Sequence, residues 1–360
     1  MAVFFLPAAF YAAGQFPYGI ASADFNGDGN LDLAAPSIQS WNVEVLLGNG
    51  DGTFQAPVPY SVGINPTAVT AADFSGNGKI DLAVADSNGG DIAVLMGNGD
   101  GTFQPAAGYP AGSNPIEIIS ADFNGDGKVD IAITDISGNA VGILLGIGDG
   151  TFQPVVFYPV GPFPDGLVAA DFNNDGKLDL AVVNSDDTVS ILLGIGDGTF
   201  DASVLYPAGS GPAYVVAADF NGDGKIDLAI TDNNTDSVAI LMGNGDGTFQ
   251  PPVLYAAGSG PLGITVADYN GDFKLDLAIT NPLTNKVAVL SGNGDGTFQA
   301  PQFFSVNDYP AILVSADFNG DGKIDIAVTD NFSDDIAILI NNQPAPIRGI
   351  RFFLDNKAHE

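Results

Sequence analysis

Short apolar runs, separated by polar segments rich in glycine and proline, recur along the whole chain. One copy of the pattern predicts four strands: Pro66–Phe74, Ile80–Ala85, Asp91–Met96 and Thr102–Tyr109. The second and third strands are apolar at consecutive positions, which is typical of strands buried on both faces. A tight polar loop separates the first two strands, and a glycine-rich turn separates the last two. The pattern therefore predicts small antiparallel sheets that pack face to face.

The tripeptide Ala-Asp-Phe, or a close variant, marks each copy of this pattern at intervals of 48 or 49 residues. Its aspartates are Asp24, Asp73, Asp122, Asp171, Asp219, Asp268 and Asp317. Glycine and proline at fixed places in every copy exclude a helical solenoid. Seven copies at this period predict an all-β fold, a seven-bladed β-propeller of four-stranded blades. We expect residues 1–341 to form it as a single domain, with a tail, 342–360, outside the repeat.

The two ends of the repeat predict how the ring closes. The segment Phe5–Tyr11 aligns with the fourth-strand segment Phe103–Tyr109, whereas the last copy stops after its third strand, Asp335–Ile340. The N-terminal segment should therefore supply the missing fourth strand and leave no open sheet edge. Because the first ten residues are in register with the repeat and lack a basic segment, we interpret them as structure and not as a signal peptide.

Charge and composition narrow the possible partners. The 360 residues carry a formal net charge of −33, and only three of the 43 acidic residues are glutamates (Glu44, Glu117, Glu360). Aspartate is favoured in turns and cation-binding loops, so we expect most of the acidic residues to lie in loops and not on helix surfaces. Nucleic acid is a poor partner for such a surface, because its phosphates require basic side chains. No apolar run reaches the length of about 18 residues needed for membrane insertion, and the absence of cysteine excludes disulfides and thiolate metal sites.

Each copy contains the loop D-x-N-x-D-G-x-x-D or a near variant, which predicts a calcium site. Alternating oxygen side chains on a tight loop point inward together, the seventh residue offers its carbonyl, and the ninth aspartate can chelate with both oxygens. An EF-hand is excluded, because its twelfth place would be Ala35 or an equivalent strand residue. Three carboxylates would repel each other without a cation, so we predict Ca²⁺ in about one site per blade, up to seven. The predicted ligands are Asp24, Asn26, Asp28, Asn30 and Asp32; Asp73, Ser75, Asn77, Lys79 and Asp81; Asp122, Asn124, Asp126, Lys128 and Asp130; Asp171, Asn173, Asp175, Lys177 and Asp179; Asp219, Asn221, Asp223, Lys225 and Asp227; Asp268, Asn270, Asp272, Lys274 and Asp276; and Asp317, Asn319, Asp321, Lys323 and Asp325.

The loops are not equivalent. Ser75 and Asn77 remove a charge from the second loop, and Phe273 replaces the sixth-place glycine of the sixth loop. We expect these two loops to bind calcium weakly, whereas Asn174 at the fourth place of the fourth loop should be harmless. The glycine-rich turns carry a second set of aspartates, which fit either an ion loop or a hairpin turn in which the aspartate bonds its own backbone. These are Asp51, Asp100, Asp149, Asp197, Asp246 and Asp295.

The D-x-N-x-D-G-x-x-D loop, followed by Gly-Asn-Gly-Asp-Gly-Thr-Phe, resembles the FG-GAP/VCBS repeat family over residues 3 to about 341. The chain is similar to the propeller of integrin alpha subunits. The resemblance implies an extracellular or periplasmic protein, calcium as a structural ion, and adhesion or ligand binding. Some fungal lectins share this fold and bind sugars between blades, and the family also attaches the propeller to enzymes, so the fold alone does not define the function.

The sequence contains no evident catalytic set. The only histidine is His359, and three glutamates with no cysteine offer no nucleophile–base pair. The clustered aspartates are accounted for by the loops, so we predict a protein that is not an enzyme.

The loops that vary between copies lie opposite the aspartate loops and form a candidate ligand face. They carry Asp165 and the aromatic residues Phe16, Tyr18, Trp41, Phe163, Tyr214 and Tyr309. Exposed aromatics suit sugar stacking or a protein contact; the alternative is that each packs over a blade junction. Trp41, the only tryptophan, is the strongest candidate.

The tail is basic and apolar, with Arg348, Arg351, Lys357 and His359 around Ile350, Phe352, Phe353 and Leu354. It can dock on its own ring, mediate self-association with a neighbour, or remain unstructured.

We expect the chain to act as a protein-interaction, adhesion or assembly module that binds a protein on the variable face. A carbohydrate-binding lectin, with a glycan on that face, is the alternative. A non-catalytic propeller of a polysaccharide-degrading enzyme is less favoured.

Overall fold

The computed structural model describes residues 3–343, and these residues form seven four-stranded antiparallel sheets, the blades. In blades 1 to 6 the four strands are consecutive in sequence, with the innermost first. Blades 1 to 3 are built from β2 (Ala21–Ala23), β3 (Asp32–Ser37), β4 (Asn42–Leu46) and β5 (Val58–Ser61); β6 (Pro66–Ala72), β7 (Asp81–Asp86), β8 (Asp91–Leu95) and β9 (Ala107–Pro110); and β10 (Pro115–Ala121), β11 (Asp130–Asp135), β12 (Ala140–Leu144) and β13 (Val156–Pro159). Blades 4 to 6 are built from β14 (Pro164–Ala170), β15 (Asp179–Asn184), β16 (Thr188–Leu192) and β17 (Val204–Pro207); β18 (Pro212–Ala218), β19 (Asp227–Asp232), β20 (Ser237–Leu241) and β21 (Val253–Ala256); and β22 (Ile264–Ala267), β23 (Asp276–Asn281), the 3-10 turn Pro282–Thr284, β24 (Lys286–Leu290) and β25 (Gln302–Ser305). Blade 7 is built from β26 (Pro310–Ala316), β27 (Asp325–Asp330), β28 (Asp335–Leu339) and the N-terminal β1 (Ala9–Ala12).

The ring closes as the ends of the repeat predict. Strand β1 pairs antiparallel with β28, from Ala9 opposite Ile338 to Ala12 opposite Asp335. The innermost strand β2 contacts both β6 of blade 2 and β26 of blade 7. The prediction of a seven-bladed propeller whose last blade is completed by the N-terminal strand is confirmed.

Aromatic rings fill the junctions between blades. Each junction combines the second residue of an aspartate loop, a phenylalanine that ends the glycine-rich turn of the next blade, and an aromatic from the fourth strand. Between blades 1 and 2, the Phe103 ring lies 5.5 Å from Phe25 and 5.4 Å from Tyr60, both edge-on. Between blades 6 and 7 the N-terminal Phe5 supplies this central ring, 6.0 Å from Tyr269. The N-terminal segment thus completes a junction as well as a sheet.

The fourth strands are shorter than predicted. The prediction of Thr102–Tyr109 is wrong at its start, because β9 begins at Ala107. Before it, Phe103 pairs with Gly97 only through an isolated bridge. Pro105, which has a counterpart in most copies, has no N–H to donate to the sheet and interrupts the pairing.

The ring has two distinct faces. The aspartate loops and glycine-rich turns occupy one, which we call the loop face. The turns between second and third strands, and the connections between blades, occupy the opposite one, the connection face. Near the connection face the innermost strands contain a β-bulge, seen as a register shift between Pro115 and Ile118 in β10 and at the same place in β14 and β18. Within residues 3–343, no helix is long and apolar enough to span a bilayer.

Candidate functional sites

The first aspartate loop shows how the motif folds. Asp24 accepts three backbone hydrogen bonds, from Gly27 and Asp28 to Oδ1 at 2.7 and 3.2 Å and from Gly29 to Oδ2 at 2.8 Å. Asn26 Oδ1 accepts the N–H of Asp28 at 2.8 Å. Gly27 and Gly29 have φ of +75° and +87°, a region that glycine adopts without penalty. The side chains at the first and third places therefore hold the loop in its tight conformation by accepting hydrogen bonds from its own backbone.

The ninth-place aspartate has a different environment, because it is completely buried. In the first loop Asp32 Oδ2 accepts the N–H of Phe25 at 2.8 Å, and Oδ1 accepts that of Gly48 at 2.7 Å. Burial, with a smaller contribution from the charges of Asp28 and Asp24, raises the pKa of Asp32 to about 6, although the two backbone hydrogen bonds oppose the rise. This aspartate ties the loop to the glycine-rich turn and is fully buried in all seven copies: Asp32, Asp81, Asp130, Asp179, Asp227, Asp276 and Asp325.

The donor set of these loops has the chemistry that calcium prefers. At the first, third, fifth and ninth places the side chains are carboxylates and amides, apart from the Ser75 hydroxyl of the second loop. In four loops a lysine pairs with the fifth-place aspartate at 3.0–3.6 Å. Those pairs are solvent-exposed and contribute little stability. Within residues 3–343, however, no three acidic or histidine side chains converge as a metal-binding group. In the first loop, both oxygens of Asp24 and one oxygen of Asp28 accept backbone N–H groups, so an ion would have to share or displace these hydrogen bonds.

The sixth loop departs from the others at two places. Phe273 adopts φ +64° and still donates its N–H to Asp268 at 2.7 Å, and its side chain is 95% exposed. Asn270 is buried, and its Nδ2 donates to Asp276 at 3.3 Å. The prediction of a weak sixth site thus gains a second reason, since the third-place side chain is turned towards the interior.

The aspartates of the glycine-rich turns bond locally. Asp51 Oδ1 accepts the N–H of Thr53 at 3.0 Å and also its hydroxyl. The hydroxyl bond and then the N–H bond hold the pKa of Asp51 below its usual range. The same bond to the threonine N–H occurs in all six turns, which favours the hairpin interpretation over an ion loop.

On the connection face, three of the predicted aromatics occupy strained backbone positions. Phe16, Phe163 and Tyr309 have φ of +62°, +46° and +61°. Each precedes a proline, which begins the innermost strand in blades 4 and 7 and lies shortly before it in blade 1. In three other blades this left-handed position holds the residues best suited to it: Asn65, Gly211 and Gly260. Aromatic residues are therefore placed where local conformation disfavours them.

Trp41 also occupies such a position, with φ +60°, and is 56% exposed. In five other blades the equivalent residue is an asparagine or aspartate whose side-chain oxygen accepts a backbone N–H of the next blade at 2.8–3.2 Å. Those residues are Asn139, Asp187, Asp236, Asn285 and Asp334. An indole has no oxygen to accept this bond, so Trp41 replaces a cross-blade hydrogen bond by an exposed ring.

Phe16 and Tyr309 both contact the ring of Phe332, which was not among the aromatics predicted from sequence. The Phe332 ring, 60% exposed, lies 5.3 Å from Phe16 and 4.6 Å from Tyr309. The available signal was a phenylalanine in a turn where most copies carry small polar residues. Phe163 stands apart in blade 4 and is 59% exposed.

Tyr18 and Tyr214 do not belong to the exposed set. They interact with each other and with Glu117 and Asp165. The four residues come from the innermost segments of blades 1, 5, 3 and 4, and side chains from so many blades meet only at the axis of the ring. Glu117, Asp165 and Tyr214 lie in the β-bulges, which re-aim side chains. We call these four residues the axial cluster.

The axial cluster is acidic and poorly solvated. Burial raises the pKa of Glu117 to about 8, and the nearby charge of Asp165 contributes to the rise. Burial raises the pKa of Asp165 to about 7, and it raises the pKa values of both tyrosines, which stay neutral. Asp165 Oδ1 is shielded from solvent and has no hydrogen-bond partner. Asp165 is among the residues predicted from sequence for this face, whereas Glu117 is not, although glutamate is rare in this chain.

Comparison with known proteins places the chain in a family. The FG-GAP-like repeat profile matches residues 24–84, 73–133, 122–182, 171–230, 219–279 and 269–328. The chain belongs to the FG-GAP-like repeat family, and the predicted resemblance is confirmed. No curated protein sequence matches it significantly.

Solved structures share the fold at low sequence identity. BBS1N, determined in complex with ARL6DN, has a TM-score of 0.69 and 13% identity, covering 96% of this chain and 99% of its own. A catalytically inactive virginiamycin B lyase from Staphylococcus aureus, bound to quinupristin, has a TM-score of 0.61 and 17% identity over 94% and 98%. A putative 6-phosphogluconolactonase from Bacteroides fragilis has a TM-score of 0.60 and 15% identity over 91% and 96%. These neighbours include a protein-binding propeller and enzymes, so the shared fold leaves the function open.

Proposed function

We propose that this chain is a non-catalytic protein-interaction module that presents its connection face to a partner outside the cell, in adhesion or in assembly of a surface structure. The observation that carries the proposal is the placement of Phe16, Trp41, Phe163 and Tyr309 at left-handed positions. Each such position costs an L-amino acid about 1–2 kcal/mol. Other blades fill the same positions with asparagine, aspartate or glycine, so the ring does not need aromatics there.

The same rings have the properties of a binding surface. Aromatic side chains dominate the energetics of protein interfaces, and clustered ones more than scattered ones. Phe16, Tyr309 and Phe332 form one such cluster over blades 7 and 1, and Trp41 lies on the same face in blade 1. BBS1N, a propeller of the same fold, was determined with a protein partner.

Substituting the aromatics tests this function. Trp41→Asn and Phe163→Asn install residues that fit a left-handed backbone, and Asn139 and Asn65 already occupy the equivalent places. Peptides selected from a displayed library for binding to the parent protein should lose at least tenfold in affinity on these variants, as for a buried hot-spot aromatic. Val204→Thr is the matched control, because Val204 is an exposed apolar residue on an outer strand. Equal binding to the parent and to both asparagine variants would contradict the proposal.

We propose further that the aspartate loops bind Ca²⁺ as a structural ion. The support is the oxygen-only donor set and the excess of carboxylates over lysines in each loop. Binding at 100 times Kd stabilises a fold by about 2.7 kcal/mol per site, so several sites together would raise the melting temperature substantially. Calorimetry with calcium and with a chelator, with metal content measured on both samples, should show a large fall without calcium. An unchanged melt of metal-free protein would refute the structural role.

A lectin is the second candidate, because grooves recur between the outer strands of neighbouring blades. One groove is lined by Tyr60 and Phe103 with Gln104 as its main polar side chain, and another by Tyr109 and Phe152 with Gln153. Sugar recognition needs polar groups that converge around a stacking ring, and these grooves are mainly apolar. A glycan array, run with and without calcium, decides: glycan binding that survives Trp41→Asn and Phe163→Asn would place the ligand in the grooves.

A further inference from the structure

We propose that the chain's own C-terminal segment, residues 344–360, docks in an apolar groove at the outer edge of the ring, where blades 6 and 7 meet. This groove, which we call the clasp groove, has a volume of about 670 Å³, and its lining includes Phe4, Leu6, Phe10 and Phe303. Residues 344–360 themselves lie outside the described part of the chain. The proposal goes beyond the proposed function, since it concerns neither the connection face nor calcium.

The clasp groove is apolar at two positions that are polar in every other blade. Phe4 and Leu6 flank Phe5, which takes the place of the phenylalanine in the glycine-rich turns. In the six turns a threonine precedes this phenylalanine and a glutamine or aspartate follows it. These polar residues are all exposed, as Phe4 and Leu6 are: Thr53, Gln55, Thr102, Gln104, Thr151, Gln153, Thr199, Asp201, Thr248, Gln250, Thr297 and Gln299. The backbone therefore turns both positions outward in all seven blades, and the N-terminal segment fills them with apolar side chains.

The apolar residues of the groove form an exposed patch. Phe4 is 55% exposed, Leu6 41%, Phe10 45% and Phe303 46%. Single exposed apolar residues are ordinary on a protein surface, whereas several around one groove mark a contact site. The clasp groove therefore needs an apolar occupant.

Contacts between the two blades fix the shape of the groove. Val3 donates its N–H to Gln302 Oε1 on the outer strand of blade 6 at 2.7 Å. The buried Phe5 ring stands edge-on to Phe304 of the same strand, with the ring centres 5.0 Å apart. Because the surface is formed in advance, docking orders only the incoming segment.

The segment that follows Gln343 begins beside the groove. Asn342 donates its N–H to the carbonyl of Phe4 at 2.8 Å, so the chain leaves the ring at one end of the patch. An extended chain covers about 3.3 Å per residue, so the distance from Phe4 to Phe10 is roughly 20 Å, and residues 344–360 can follow it with length to spare. The segment carries five large apolar residues that suit the groove: Ile347, Ile350, Phe352, Phe353 and Leu354.

Tethering favours this segment over a second copy of the chain. A short linker keeps a segment near its site at an effective concentration on the order of millimolar. The segment also contains three of the ten basic residues, Arg348, Arg351 and Lys357, in a chain of net charge −33. The field of the acidic ring therefore attracts it, and the apolar residues decide where it binds.

Photo-crosslinking on the full chain tests where the segment lies. With p-benzoylphenylalanine in place of Phe352, irradiation followed by mass spectrometry should give crosslinks to residues 3–12 and 302–306. Phe4→Thr together with Leu6→Gln installs the residues that the other blades carry, and should reduce the yield by about tenfold, as for the loss of a hot-spot contact. Val253→Thr together with Leu254→Gln is the matched control and should leave the yield unchanged, because it removes two exposed apolar residues from the outer strand of blade 5.

Hydrogen exchange gives a readout that does not depend on a variant. The amides of residues 347–354 should exchange about tenfold more slowly in the parent protein than in an isolated peptide of residues 344–360, which corresponds to a segment docked about nine-tenths of the time. Equal exchange rates would refute the docking, as would crosslinks spread over the ring or unaffected by the Phe4 and Leu6 substitutions.

Mixing nitrogen-15-labelled with unlabelled chains identifies the source of the segment. Crosslinked peptides that pair a labelled with an unlabelled chain would show that a second copy fills the groove, and would refute docking within one chain. Pairs of uniform label, directed to the clasp groove, would support it. Neither result depends on whether Trp41→Asn weakens partner binding, so this proposal and the proposed function fail separately.

Discussion

Phe273 allows the cost of a left-handed backbone to be measured with little interference from packing. Its side chain is 95% exposed, so Phe273→Gly removes almost no buried surface. The backbone at φ +64° costs an L-amino acid about 1–2 kcal/mol. Glycine offsets part of that gain, because it loses about 0.5–1 kcal/mol more conformational entropy on folding. The hydrogen bond from residue 273 to Asp268 uses the backbone and is retained. We therefore expect a net stabilisation of about 0.5–1 kcal/mol.

The fifth loop provides the reverse experiment. Gly224 occupies the same place with φ +82°, and a Cβ added there would meet no atom within 4 Å. Gly224→Phe should therefore introduce strain without a steric clash and destabilise the protein by about 0.5–1 kcal/mol. The two substitutions exchange the same residues at equivalent places, so composition effects cancel in the comparison.

Scanning calorimetry at a fixed saturating calcium concentration measures both changes. Melting temperatures should shift in opposite directions by about 1–3 °C, and a variant carrying both substitutions should melt near the parent. If Phe273→Gly lowers stability while Gly224→Phe is neutral, the Phe273 ring makes a favourable contact that its exposure conceals. The argument from backbone strain would then fail.

Three other predictions concern calcium, pH and ring closure. Calcium titrations followed by calorimetry should show that Phe273→Gly raises affinity at the sixth loop and Gly224→Phe lowers it at the fifth; seven loops of equal affinity in the parent protein would contradict this. Burial raises the pKa of Glu117 to about 8 and that of Asp165 to about 7. Between about pH 4 and pH 8 the folded state therefore binds more protons than the unfolded state. The free energy of unfolding should fall as the pH rises through that window, by up to about 1.4 kcal/mol per pH unit for each deprotonating group. Urea denaturation of Glu117→Gln/Asp165→Asn across this range should give a flatter profile, and an identical slope would refute the assignment. Deleting residues 1–12 should destabilise the ring far more than deleting 343–360, because the first deletion leaves β28 without its neighbour; the opposite order in thermal melts would contradict the role of β1.

The blade architecture could be predicted from sequence because the same pattern of apolar strands and polar turns occurs seven times. The consecutive apolar residues of strands such as β7 require burial on both faces, and the alignment of Phe5 with Phe103 is enough to place the N-terminal strand. The start of β9 could not be placed, since the pairing there depends on how Pro105 interrupts hydrogen bonding beyond Phe103.

The axial cluster was not predictable by the same reasoning. Glu117 and Tyr214 lie two residues after the proline of their strands, and Asp165 one residue after its own. All three lie in β-bulges, which change side-chain direction in a way that the repeat pattern does not encode. Tyr214 was grouped with exposed aromatics because a tyrosine near a loop is commonly exposed, whereas it is 8% exposed. Contacts between blades several repeats apart in sequence depend on ring geometry that no single copy encodes.

The pairing of β1 with β28 also constrains the order in which the ring can form. Blades 1 to 6 each contain only consecutive strands, so each can assemble soon after its last strand leaves the ribosome. Blade 7 must join residues 9–12 to residues 335–339, the first strand of the ring to the last. Until then β1 is a solitary strand, and the junction that Phe5 completes stays open. Contacts across such a separation form slowly, so β1 stays unpaired until β28 has been made, and the yield of folded ring depends on how well that strand is shielded from other chains in the meantime.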